Sequence, residues 1–324
     1  MNHSTRRQFL GAATAGLTVA GASSFTAFQA AQAHEQPAKP TSGDLGTNAR
    51  VTSDQVVFLN DTHIGEQHGP DHLHPTNLTK AVEAILALPK NPAAVIINGD
   101  LAMSVGTAGD YQAFAKRIAP LVESGQNLHL TLGNHDNREE FRRAFPHLAS
   151  ASRLKEYRHN GVIELSHVRL VLLDSLKETP AAPGRLGEDQ IDWLLDTVDA
   201  QREKPTVIVA HHNPRLGGDP IHYPGGIEDT EQFWPELLKR LQFKAHIHGH
   251  VHDWTLGLHH GAHVVNLMAS AMVADNTVCT NGWTFAEFLP TGMALTLRTF
   301  LKDHPWDGER KWLYWRQPKV VTKK

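Results

Sequence analysis

Residues 55–63 read QVVFLNDTH: four consecutive apolar residues, then an asparagine, then an acid and a histidine two positions apart. An apolar run this short, without polar alternation, is the pattern of a strand buried on both faces. The same design returns in AAVIINGD (93–100), NLHLTLGNHD (127–136), PTVIVAHHNP (205–214) and FKAHIHGHVHDW (243–254), with RLVLLDS (169–175) as a further run. Helical spacing fills the gaps. LTKAVEAILAL (78–88) puts Leu78, Val82, Ile85 and Leu86 on one side, a second helix is expected around 110–123, and GEDQIDWLLDTVDAQ (187–201) and TEQFWPELLKRL (230–241) supply two more. Strand and helix alternating in this way predict an α/β protein with mainly parallel, buried strands. Each run ends in polar residues, and in such sheets ligands bind outside the carboxyl ends of the strands. Five separate clusters therefore converge on one site: Asp61 with His63, Asp100, Asn134 with His135, His211, and His250 with His252.

The 324 residues hold 31 Lys and Arg against 34 Asp and Glu, a formal charge of −3, with no basic run except at the extreme C-terminus. No electrostatic footprint for nucleic acid or an anionic membrane is present. Cys279 is the single cysteine, so thiolate metal clusters and internal disulfides are excluded. A metal would be held by nitrogen and oxygen, and the 22 histidines supply the nitrogen.

The first 33 residues read as an address. Arg6 and Arg7 precede Phe9 and Leu10, an Ala/Gly-rich stretch without acids follows, and Ala31-Gln32-Ala33 has the form of a cleavage site. This resembles a twin-arginine export signal, and implies the twin-arginine translocase as a transient partner and a periplasmic or extracellular destination. The segment is interrupted by Ser23, Ser24, Thr26 and Gln29, so no lasting membrane anchor is expected after cleavage. Residues 34–54 read as a linker, 55–318 as the folded domain and 319–324 as a tail. Trp312, Tyr314 and Trp315 are expected to pack the last strands.

Taken in order, D-x-H (Asp61, His63), G-D (Gly99, Asp100), G-N-H-D (Gly133 to Asp136), a strand-terminal histidine (His211) and G-H-x-H (Gly249 to His252) resemble the calcineurin-like metallophosphoesterase superfamily. LLDS, GRLGEDQIDWL and HHNP are similar to the branch containing class III cyclic-nucleotide phosphodiesterases and glycerophosphodiesterases. Singly these motifs are weak, but all five in order after strands are specific. The resemblance implies a four-layer α/β/β/α sandwich of two mixed sheets, with two divalent ions (Mn, Fe, Zn or Co) at the strand ends. It implies Asp100 as the bridging carboxylate, with Asp61, His63 and His252 on one ion and Asn134, His211 and His250 on the other.

The implied reaction is hydrolysis of a small phosphoester, a diester before a monoester, by a metal-bound hydroxide. His135 would contact the phosphate or protonate the leaving oxygen, with Asp136 orienting its imidazole. His246 and His248, earlier on the same run, read as supporting or packing residues. The histidines of GEQHGPDHLHP (65–75) and the stretch RLGGDPIHYPGGIED (215–229) read as loops at the rim. Some relatives have lost metal ligands and serve as binding scaffolds; here all seven ligand positions are intact. The one departure is Asn213, where many relatives carry proline. Purple acid phosphatases of the superfamily place a tyrosine three residues after the G-D aspartate, and here that position is Met103.

Overall fold

The computed structural model describes residues 54–148, 154, 158–218 and 222–317, all within one compact unit, Gln36–Lys324. The export signal, almost all of the linker and the tail lie outside the described residues. Among the described residues, twelve strands form two six-stranded sheets.

The first sheet is built around β1 (Asp54–Asn60), β2 (Ala94–Asn98) and β3 (Leu128–Thr131), which run parallel. On the other edge of β1 lie β10 (Gly282–Leu289), β11 (Gly292–Thr299) and β12 (Arg310–Tyr314), all antiparallel. The second sheet takes β4 (Gly161–Glu164), β5 (Arg169–Leu172), β6 (Thr206–Val209), β7 (Phe243–His248), β9 (Ala262–Asn266) and β8 (Thr255–His259), in that spatial order. Its four central strands are parallel and its edges antiparallel. Parallel pairing joins strands separated by a helix or, for β7 and β9, by β8, while the hairpins β8–β9 and β10–β11 are antiparallel. The β8–β9 turn shows why: His260 and Gly261 both have positive φ, 49° and 82°, the conformation of a two-residue hairpin turn.

Successive side chains of a strand point to opposite faces, and this parity assigns the layers. Val56 and Phe58 of β1 and Ala94 and Ile96 of β2 pack against Leu170, Val207, Val209 and Ile247 of the second sheet. Val57, Leu59, Val95 and Ile97 face helices α1 (Leu73–Leu86), α2 (Ala108–Glu123) and α3 (Arg138–Ala144). On the far side, Val171, Ile208 and Val264 meet α4 (Glu188–Asp199) and α5 (Thr230–Leu238). The result is helix, sheet, sheet, helix, as the resemblance implied. α1 begins earlier than its apolar spacing predicts because His72 caps it, its ring accepting from the His74 N–H, and Pro75 sits in the first turn.

Candidate metal centre

The apolar runs of β1, β2, β3, β6 and β7 all end at one side of the molecule, and the residues that follow turn sharply there. Asp61, His63, Asp100, His250 and His252 have φ of 52°, 44°, 47°, 68° and 56°; these five are among seven non-glycine residues with positive φ in the described chain. Side chains avoid this region, and occupying it costs about 1–3 kcal/mol per residue. Such concentration marks a place where the surroundings force the backbone in order to aim side chains. Glycine meets the same demand beside them. At Gly99, φ is 71° and a Cβ would lie 2.5 Å from the His211 ring; at Gly249 it would lie 2.4 Å from Asp61 Oδ2.

Asp61, His63, Asp100 and His252 bring one potential donor atom each within 4.8 Å of the others, and His211, His212 and His250 form a second such group. Asp100 Oδ2 touches both: it lies 3.5 Å from His63 Nε2 and 3.3 Å from His211 Nε2. His63 Nε2 and His252 Nε2 are 3.1 Å apart, and His252 Nε2 is 3.3 Å from Asp61 Oδ1. With metal–nitrogen bonds of about 2.0–2.1 Å, the edge of a tetrahedron is about 3.3 Å, so these separations suit donors gathered around one cation. Asn134 Oδ1 and His250 Nε2 are buried without a hydrogen-bond partner, and His211 Nε2 has only the Asp100 carboxylate beside it. Leaving such atoms unpaired costs about 1–3 kcal/mol each, and an ion removes that penalty. The donor set therefore fits divalent metal.

The electrostatics point the same way. Burial alone would raise the Asp100 carboxyl, but His211 beside it overrides this and holds it well below the usual range. Burial would lower His211, yet Asp100 and Asp61 push it up to about 9. His63 and His250, where burial dominates, fall to about 4. Two buried carboxylates thus demand positive charge at this point, while two neighbouring imidazoles stay neutral with lone pairs to offer.

His212, next in sequence to His211, lies in the second group as well, its ring 4.5 Å from that of His250. Its Nδ1 is engaged by a 2.7 Å hydrogen bond with the Ser175 hydroxyl, so only Nε2 is left for a metal. His135 holds its backbone N–H 2.9 Å from Asp100 Oδ1, and its ring is edge-on to His63 at 5.1 Å. The expected pairing of His135 with Asp136 is not met. His135 Nδ1 donates to the Ser104 carbonyl at 2.8 Å. Asp136 is wholly buried and accepts from the N–H groups of Leu101, Ala102 and Gly133 and from the Tyr111 hydroxyl. It braces the two loops that carry Asp100 and Asn134, and burial, with Asp100 adding, pushes its carboxyl up to about 7.

Beneath the centre runs a polar ladder that sequence reading missed. Asn98 Nδ2 donates to Asn60 Oδ1 and to the Ala210 carbonyl, both at 3.0 Å, and the Thr131 hydroxyl donates to Asn98 Oδ1 at 2.7 Å. His211 Nδ1 in turn donates to the Asn98 carbonyl at 3.2 Å. One buried amide therefore ties the ends of β1, β2, β3 and β6 together across both sheets. The available signal was an asparagine closing each of two wholly apolar runs. His246 Nε2 donates to the His212 carbonyl, a supporting position. In the 215–229 stretch, Tyr223 is edge-on to His250 at 5.5 Å.

The calcineurin-like phosphoesterase family model matches residues 55–254. A 3',5'-cyclic adenosine monophosphate phosphodiesterase, CpdA, of Pseudomonas aeruginosa is 29% identical over 212 residues, covering 64% of this chain and 72% of its own. The glycerophosphodiester phosphodiesterase GpdQ of Enterobacter lignolyticus is 26% identical over 224 residues, covering 66% and 77%. Among solved structures, a dimetal phosphatase from Danio rerio superposes with a TM-score of 0.62 at 16% identity, over 81% of this chain and 99% of that one. That likeness speaks to the fold.

Proposed function

Because the chain belongs to the calcineurin-like phosphoesterase family, we propose that it hydrolyses a small phosphodiester at a centre of two divalent ions. Asp61, His63, Asp100 and His252 would hold one ion, and Asp100, Asn134, His211 and His250 the other. The observation that carries this reading is the position of Asp100 Oδ2 between His63 Nε2 and His211 Nε2, where one oxygen can serve both groups. Bound divalent ions supply charge neutralisation of the phosphoryl oxygens and acidify water.

The chain's own groups do the rest. The strained turns and the Asn98 ladder hold the donors in place, so little reorganisation accompanies substrate binding. His135 stands beside the centre with Nδ1–H held by the Ser104 carbonyl, leaving Nε2 to carry a proton to the departing oxygen. A diester is preferred because CpdA and GpdQ are both named for diester substrates. Met103 offers no phenolate for ferric iron, so two divalent ions and a colourless protein are expected.

Asp100→Ala tests the centre. The variant should lose both ions and all measurable turnover of cyclic nucleotide and glycerophosphodiester, while wild type is stopped by chelator and restored by Mn2+. Full metal occupancy in Asp100→Ala would refute the assignment; turnover by wild type of monoesters alone would refute the diester preference. Export by the twin-arginine route is part of the same proposal, resting on Arg6 and Arg7. Arg6→Lys with Arg7→Lys should retain the precursor in the cytoplasm, and normal export of that variant would refute it.

A further inference from the structure

The segment between His63 and α1 gathers another set of imidazoles, outside the centre described above. His68, His72 and His74 each bring a ring nitrogen within 4.8 Å of the others. The His68 and His72 rings stack at 3.9 Å with 7° between their planes, and His74 stands edge-on to both, at 4.9 and 4.6 Å. Three imidazoles in one GEQHGPDHLHP stretch do not need one another for packing, since His72 is exposed and His68 half-buried.

The hydrogen bonds assign the protons. His74 Nδ1 faces the His63 carbonyl at 2.9 Å; a carbonyl only accepts, so Nδ1 carries the hydrogen and Nε2 keeps its lone pair. A ring held by a backbone carbonyl in this way is the usual arrangement behind a metal-ligating histidine. His68 Nδ1 accepts from the Gly65 N–H at 3.1 Å and His72 Nδ1 from the His74 N–H at 3.3 Å. A cation bound at either Nδ1 displaces a single neutral backbone N–H, a bond worth about 0.5–1.5 kcal/mol.

We propose that His68, His72 and His74 form a separate site for one borderline divalent ion, Zn2+ or Cu2+, at the rim of the centre. Three imidazoles with water completing the shell suit these ions and discriminate against Mg2+ and Ca2+, which prefer oxygen. Through the His74–His63 contact the ion would fasten the rim segment to the loop that carries His63.

The test uses the full chain, stripped with chelator, reloaded with Zn2+ and freed of excess by gel filtration. The variant His68→Gln/His72→Asn removes two imidazoles, while asparagine at 72 retains the helix cap. It should bind one equivalent fewer than wild type, with the metal-free melting temperature unchanged. Cu2+-loaded wild type should show multi-nitrogen coupling in its electron paramagnetic resonance spectrum that the variant lacks. Equal equivalents and identical spectra would overturn the site. Should the double variant melt early, His68→Gln alone decides: the affinity of one equivalent should fall by more than the ~10- to 100-fold that losing a ligand's outer partner costs, and a smaller fall or an unchanged isotherm would overturn the proposal. The comparison is a difference of one ion, so it stands or falls independently of how many ions the deeper centre takes.

Discussion

His135 and Asp136 are neighbours in one turn, yet they serve different ends. The His135 ring reaches the edge of the centre, whereas Asp136 is turned inward onto three backbone N–H groups. His135→Ala should therefore keep its metal and lose turnover by about 10²- to 10⁴-fold, the contribution of a positioned acid. The loss should shrink on a p-nitrophenyl ester, whose leaving oxygen needs no proton; equal losses on p-nitrophenyl and alkyl esters would contradict the role. At this scale the donor types were legible, because Asp, Asn and His recur after apolar runs. The direction of Asp136 was not, since adjacent residues in a turn carry no periodicity from which to read a face. Neither was the left-handed backbone at Asp61, His63 and Asp100, which tertiary contacts impose against local preference.

Among the elements, the six runs read from sequence all became strands, and the four helices read from apolar spacing formed with shifted ends, while α3 (Arg138–Ala144) was not foreseen. What escaped was the second half of the sheet pairing. β10 and β11 join through a tight turn and β12 follows after a longer loop, and nothing local tells such a meander which earlier strand it will flank. The Asn98 ladder is likewise a property of assembled strands. Asn98→Ala leaves the Asn60 Oδ1, the Ala210 carbonyl and the Thr131 hydroxyl without their partner in a buried place. Urea unfolding should show about 1–3 kcal/mol lost for each group left unpaired, with weakened metal retention because His211 leans on the Asn98 carbonyl. Unchanged stability would mean the ladder is replaceable by water.

For the molecule as a whole, buried histidines set an acid limit. His246 is wholly buried, and burial lowers it from 6.5 to about 4. Between those values the unfolded chain binds a proton that the folded one refuses, so stability rises with pH through this window. It is fully present above about 6.5 and is lost as the pH falls toward 4, by at most about 3 kcal/mol for this group. His246→Gln, which can still donate to the His212 carbonyl, should flatten the stability curve between pH 4 and 6.5 in urea titrations at a series of pH values. A curve parallel to wild type would assign the acid limit to other groups.

One pairing also governs the order in which the chain can be assembled. β1 lies beside β10 with Asp54 opposite Phe288, so this strand receives that neighbour only after β2 to β9 have all been made. Contacts this distant in sequence make folding slow, because a long loop must close before they form. Until then β1 presents an open apolar edge, a template for pairing with other chains. That edge is closed only when the residues around Phe288 have emerged, so every element between β1 and β10 must wait for the sheet to be completed from outside.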